Sequence, residues 1–208
     1  MSKKVKKILI VVLILIALIS FFIVYRKLTK KEPKQVVEEL KEVDTIQTKE
    51  FDYKLYDNKS DLYQELFSKL KEELLKEEVN DEEYAKIIGQ LFVADFYSLS
   101  DKATSSDVGG LDFVYENIKE NFVLKATDTI YKYVQSNVYG DRKQELPKVT
   151  AVEVKSIEKT SVTIGDVTDQ NGYTMTVSLT YEKSMGYPTE VSLKLIHVDK
   201  KIYIVEVK

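Results

Sequence analysis

The sequence predicts an α+β fold, with helices packed on a C-terminal antiparallel sheet of about four strands, behind one N-terminal transmembrane helix. Three observations predict it. Ile8 to Tyr25 is a run of 18 residues without a charge, Gly or Pro. Between residues 60 and 139, apolar residues recur every three or four positions, the period of a helix with one buried face. After Pro147 the period falls to two, as in strands with one buried face.

The apolar run comes first in the chain. At about 1.5 Å per residue it spans roughly 27 Å, close to a hydrocarbon core of about 30 Å. A cleaved signal peptide has a shorter apolar region and small residues at its end. Here the end is bulky: Phe21, Phe22, Ile23, Val24 and Tyr25. The expectation is an uncleaved anchor, so the lipid bilayer is a partner through residues 8–25. Residues 1–7 form a basic tail. Four lysines precede the run and five basic residues follow it, which nearly balances the positive-inside rule. A cytoplasmic N-terminus with an extracytoplasmic domain is favoured, because a short tail with four lysines resists translocation more than a long domain does.

Residues 26–50 read as a charged stalk. Val36, Val37, Leu40 and Val43 recur at helical spacing and offer a narrow seam for self-association. Residues 51–208 read as a single domain, helical over 60–139 and sheet over 148–208. Phe51, Tyr53 and Leu55 alternate into a short strand ended at Asp57-Asn58. Leu62, Leu66, Leu70 and Leu74 mark a helix from Asp61 to about Glu78. Asn80, Glu83, Val79 and Tyr84 form a capping box and staple for the next helix, which runs to about Ser98. Leu111, Val114, Tyr115, Ile118 and Phe122 mark a further helix, and Ile130, Tyr131, Val134 and Val138 another. Strands then follow from Val152 toward Ile164, from Tyr173 to Tyr181, from Val191 to His197 and from Ile202 to Val207. Asp169-Gln170-Asn171-Gly172 reads as the first turn between them.

Charge excludes one function class. Residues 1–34 hold nine of the 31 basic groups and one of the 34 acidic groups, leaving 22 basic and 33 acidic groups, net −11, in residues 35–208. An acidic domain is repelled by phosphate backbones, so no nucleic acid is expected as partner. Cysteine is absent, which excludes disulfides and thiolate zinc sites.

The last segment, His197, then Asp199-Lys200-Lys201, then Ile202-Tyr203-Ile204-Val205-Glu206-Val207, is similar to the closing hairpin of the nuclear-transport-factor-2-like cone fold. Helices followed by a curved antiparallel meander behind one anchor also resemble that fold. Its membrane-anchored versions include assembly factors of type IV secretion and conjugation machines. The resemblance implies a cone with a pocket between helix and sheet, and Tyr203 as the aromatic of the last strand. Leu91-Phe92-Val93-Ala94-Asp95-Phe96-Tyr97, Asp107-Val108-Gly109-Gly110 and Tyr139-Gly140-Asp141-Arg142 resemble a family of uncharacterised bacterial membrane proteins, which implies no activity.

Candidate site residues form a ligand or partner surface of Asp95, Tyr97, Arg142, Tyr173, Tyr181, His197 and Tyr203. Asp95 lies on an otherwise apolar helix. It is either an acid–base group or an acid that bonds the loop at Asp107–Gly110. His197 is the sole histidine and reads as a hydrogen-bonded strand residue on the face of Val191, Leu193 and Leu195. Arg142 is expected to pair with a carboxylate at the helix-to-sheet junction. Asp101, Asp107 and Asp112 flank Gly109-Gly110 without calcium-loop spacing, so they read as turn and cap residues. No metal and no cofactor is expected. The 14 tyrosines suit both core edges and interfaces. The leading expectation is a membrane-anchored, non-enzymatic protein-interaction or assembly module, in a secretion, conjugation or envelope complex. The alternatives are a small-molecule-binding or sensory cone, or an enzyme with Asp95 as acid/base. They differ in testable geometry: an open apolar pocket, a filled cone, or Asp95 facing a cavity.

Overall fold

The computed structural model describes residues 19–22, 25 and 40–208. The chain divides into two compact units, Met1–Val36 and Val37–Lys208. In the first, the described residues 19–22 and 25 are helical. Most of the expected anchor, 8–25, and the stalk up to residue 39 lie outside the described residues. Among the described residues, no helix is long and apolar enough to cross a membrane.

The second unit is α+β and begins earlier than expected. Residues 42–47, read as stalk, form strand β1 (Glu42–Gln47), paired antiparallel with β2 (Asp52–Tyr56). Thr48 Oγ1 closes the turn by accepting from the Phe51 N–H at 3.0 Å. The hairpin is fixed from one side: Ile46, Tyr53 and Leu55 are buried while Val43 stays exposed. Val43 therefore belongs to a strand and not to a helical seam. Val36 and Val37 of that seam lie outside the described residues.

Helix α1 (Asp61–Leu74) is capped by Ser60, whose Oγ accepts from the Tyr63 N–H. It stops four residues short of Glu78, because Leu75 turns outward. Helix α2 (Asp81–Phe96) starts where expected, with Asn80 Oδ1 accepting from the Glu83 N–H at 3.0 Å. The reciprocal bond differs. Glu73, buried at the end of α1, accepts from the Asn80 N–H at 2.7 Å. Glu83 pairs with Lys86 instead. One acid thus joins two helices, which a capping box within α2 alone would not do.

Leu111–Phe113 is a single 3-10 turn, and Val114 forms a parallel bridge to Ile204. The Tyr115 N–H donates to the Ile204 carbonyl at 3.0 Å. That pairing delays helix α3 to Glu116–Asp128. The helix expected around Ile130–Val138 does not form; the chain turns there instead. Tertiary bonding overrides the helical spacing. The buried Tyr131 hydroxyl donates to the Phe96 carbonyl at 2.6 Å and accepts from the Gly109 N–H at 3.1 Å.

Strands β3 (Val149–Ile164), β4 (Val167–Tyr181), β5 (Glu190–Val198) and β6 (Lys201–Val207) form one antiparallel sheet in that order. The alternation Tyr173, Met175, Val177, Leu179 is buried throughout. These residues face the main core under α1 and α2, where Gly89 leaves room for Met175. A Cβ at Gly89 would lie 2.5 Å from the Met175 sulfur.

The expected turn at Asp169–Gly172 is strand, and the chain reverses at Gly165-Asp166, with Gly165 at φ +55°. β3 and β4 outrun β5, whose pairing with β4 ends at Tyr173–Leu195. Gly172 permits a close approach there: a Cβ would sit 2.7 Å from the Leu195 carbonyl oxygen and 2.9 Å from Val162. The long arm brings Val162 against Ile196 and Val205, with Tyr115, Ile118, Ile164 and Val198 packed around them. This makes a second, smaller core.

Candidate functional site

The seven predicted residues do not converge on one site. Asp95 sits near the end of α2, 8% exposed. Its Oδ1 takes the Lys102 ammonium at 2.6 Å, and its Oδ2 takes Lys59 at 2.7 Å and the Gly110 N–H at 2.8 Å. Gly110 adopts φ +74° to present that N–H. The loop contact is the expected one, whereas both lysines were unforeseen. Burial alone would raise the Asp95 carboxyl, but Lys102 and Lys59 outweigh it and hold the group at about 2. A carboxylate so acidic, with both oxygens engaged, is a poor proton acceptor near neutral pH.

Acid dependence follows from this. The folded pKa lies below the unfolded value of about 3.9, so the stabilisation is complete above that value and is lost as pH falls toward 2. The loss from Asp95 is on the order of 2 kcal/mol. Unfolding free energies from urea titrations between pH 7 and pH 2.5 are expected to fall, and to fall by about that much less in Asp95→Asn. Equal slopes in the two proteins would remove Asp95 as the cause.

His197 and Tyr173 meet at a second place. His197 Nδ1 lies 2.7 Å from Asp169 Oδ2, and Nε2 lies 2.9 Å from Asp81 Oδ1. Both contacts are hydrogen bonds at once only when each ring nitrogen carries a proton. Asp169 Oδ2 also accepts from the His197 N–H at 2.7 Å, replacing a strand carbonyl where the ladder ends. Burial would raise the Asp169 carboxyl, yet the N–H groups of His197 and Asn171 and the His197 ring hold it below the usual carboxylate range. The Tyr173 hydroxyl donates to Asp81 Oδ2 at 2.6 Å and is pushed up by burial and by that acid. The cluster ties the first residue of α2 to two strands. His197 is a hydrogen-bonded strand residue, as expected.

Among the described residues, Arg142 forms no ion pair with a carboxylate. Its guanidinium donates to the carbonyls of Lys102 at 2.7 Å, Ser100 at 2.5 Å and Gln135 at 3.3 Å. Three carbonyls at the end of the helical region occupy the fork that a carboxylate would have filled. The Tyr181 hydroxyl donates to the Pro188 carbonyl at 2.9 Å. Tyr203 lies beside Tyr115, with ring centroids 6.3 Å apart. Among the described residues, no group of His, Asp or Glu is placed to hold a metal ion.

Tyr97 alone among the seven lines the largest cleft described here, a groove of about 520 Å³ between α3, the end of α2 and the sheet. Its walls include Phe96, Ile118, Phe122, Ile130, Ile164 and Val205. The groove follows the seam between the two cores. Burial pushes the Tyr97 hydroxyl up to about 12, so it stays protonated at neutral pH. Asn121, Lys125, Thr129 and Glu206 bring polar groups to the same groove. α3 roofs it loosely: Ala126 is the helix's one fully buried side chain, and Ile118, Phe122 and Val123 are half-buried. Sequence reasoning did not find this set, because its residues come from four distant segments.

No family model, no curated protein and no solved structure matches this chain.

Proposed function

We propose that the chain is a membrane-anchored, non-enzymatic binding protein whose domain holds an apolar small molecule in the groove beneath α3. The groove carries this reading. Its size falls within the roughly 300–1,000 Å³ of small-molecule sites, and such sites combine apolar walls with a few polar groups. The apolar walls here are mainly Phe, Ile and Val, and Tyr97, Asn121, Lys125, Thr129 and Glu206 supply the polar groups. A groove that is open rather than filled favours a ligand over pure scaffolding. The engagement of Asp95 by two lysines and the Gly110 N–H weighs against the enzyme alternative. The membrane part of the proposal rests on the uncharged run from Ile8 to Tyr25. The four lysines of the N-terminal tail favour a domain outside the cell. Docking of a protein partner has in its favour the exposed side chains of Leu124 and Tyr133, and it makes no use of the groove.

Photolabelling tests the proposal. The full-length chain in phosphatidylcholine nanodiscs is irradiated with a neutral long-chain diazirine alcohol, and adducts are located by mass spectrometry. Labels are expected on the peptides containing Phe122 and Ile164. Ile164→Asp puts a charge on the apolar wall and is expected to lower that labelling by about tenfold, equal to roughly 1.4 kcal/mol. Adducts confined to residues 8–25 would rule the groove out as a ligand site.

A further inference from the structure

We infer that the groove's ligand is a free long-chain carboxylate, with its head at Lys125 and Asn121 and its chain along Phe122, Ile118, Ile164 and Val205. The inference rests on the groove being a ligand site and adds the chemistry of the head.

Charge within the groove decides it. Among the described residues lining the groove, Lys125 is the one cation and Glu206 the one acid. Glu206 is already committed. Its Oε1 takes Lys208 at 2.8 Å and Lys194 at 3.1 Å. Lys125 has no carboxylate partner among the described residues. Asn121 precedes it by four positions on α3, so the two side chains share one face of the helix. The Asn121 amide also makes no hydrogen bond to another described residue. A cation and an amide donor, side by side and unpartnered at the rim of an apolar groove, match a carboxylate: one oxygen for each.

The opposing term is smaller. Lys125 lies in the last turn of α3, where the helix carries about half a negative charge. The full charge of the ammonium outweighs it. A cationic amphiphile would meet Lys125 as a like charge, and Glu206 is too well paired to offset it. A neutral alcohol would fill the walls but leave the ammonium without its ion partner. Volume argues for one chain: about 520 Å³ lies in the middle of the range for single small ligands, and a two-chain phospholipid needs more.

The test compares heads on one chain. Two photoreactive probes with the same diazirine-bearing chain are used, one ending in a carboxylate and one in an alcohol. Each is added at the same subsaturating concentration to the full-length protein in phosphatidylcholine nanodiscs. The carboxylate is expected to label the Phe122 and Ile164 peptides about tenfold more than the alcohol, the return on one charge-assisted contact at a partly wet site. Lys125→Glu is expected to abolish that preference. Lys132→Glu is expected to keep it, because Lys132 lies over the Tyr133 ring and does not line the groove. Equal groove labelling by both probes would overturn the head-group inference and leave the groove as a ligand site. Groove labelling by neither would overturn both. A diazirine phosphatidylcholine that labels the groove and excludes the carboxylate would show that bilayer lipid is the occupant, and would overturn the inference as well.

Discussion

Replacing Asp95 by Ala is expected to cost about 3–5 kcal/mol, the range for breaking a buried ion pair from one side. The reason is what remains behind. Lys102 is 6% exposed at its side chain and would keep its charge in the interior without a partner. The Gly110 N–H would lose its acceptor, and an unsatisfied buried donor adds its own desolvation cost. Lys59 is more exposed and can swing toward water. The double substitution Asp95→Ala with Lys102→Met is therefore expected to recover part of the loss, because it removes the stranded cation together with its partner. Urea midpoints of the two singles and the double complete the cycle. A loss below about 1 kcal/mol for Asp95→Ala would mean that the cluster behaves as a solvated surface pair.

Phe92→Ala is expected to be as costly, about 3–5 kcal/mol, from lost burial and the cavity left behind. Its effect on motion is expected to be local. Phe92 is fully buried, stacked on Phe96 at 5.2 Å and edge-on to Phe122 at 5.9 Å. Phe122 is one of the few contacts holding α3, so the substitution loosens the roof of the groove before the sheet. Hydrogen exchange in residues 116–128 is expected to quicken more than in β4 and β5. Leu193→Ala removes an equally buried side chain from the sheet and is expected to lack that selectivity. Uniform acceleration in both variants would mean that α3 opens only with the whole domain.

The parts of the fold that were legible are those where one local signal agrees with one tertiary demand. Tyr173 to Tyr181 alternates in sequence, and its inward half is buried in the structure. Asn80 caps where its spacing to Glu83 says it should. The illegible parts are those where distant contacts outvote local spacing. Ile130, Tyr131 and Val134 have helical spacing, but Tyr131 is committed to Phe96 and Gly109. Asp169-Gln170-Asn171-Gly172 has the composition of a turn, but Asp169 serves His197 and Gly172 serves a close approach to Leu195. β1 hid inside a charged stretch because Ile46 is its one fully buried residue. Asp95 was legible as a loop-binding acid, since it is the one acid in the apolar stretch from Leu91 to Tyr97 and such an acid needs polar partners. Its lysines were not, because Lys59 precedes it by 36 residues and Lys102 lies beyond the helix end.

The β3 edge bears on how the domain behaves when crowded. A sheet of four strands leaves two edges, and the β6 edge is met by Val114 and Tyr115. β3 presents the other, 16 residues long, enough to template a second copy. Its register against β4 shifts between Val149 and Ala151, between Val154 and Ser156, and between Thr160 and Val162. Each shift interrupts the straight row of donors and acceptors that an incoming strand would read. Glu153, Lys155, Glu158 and Lys159 add charge along the same stretch. The irregularities in the edge strand thus work against edge-to-edge pairing. At high local density, such an edge disfavours the zipping of neighbouring copies into a continuous sheet.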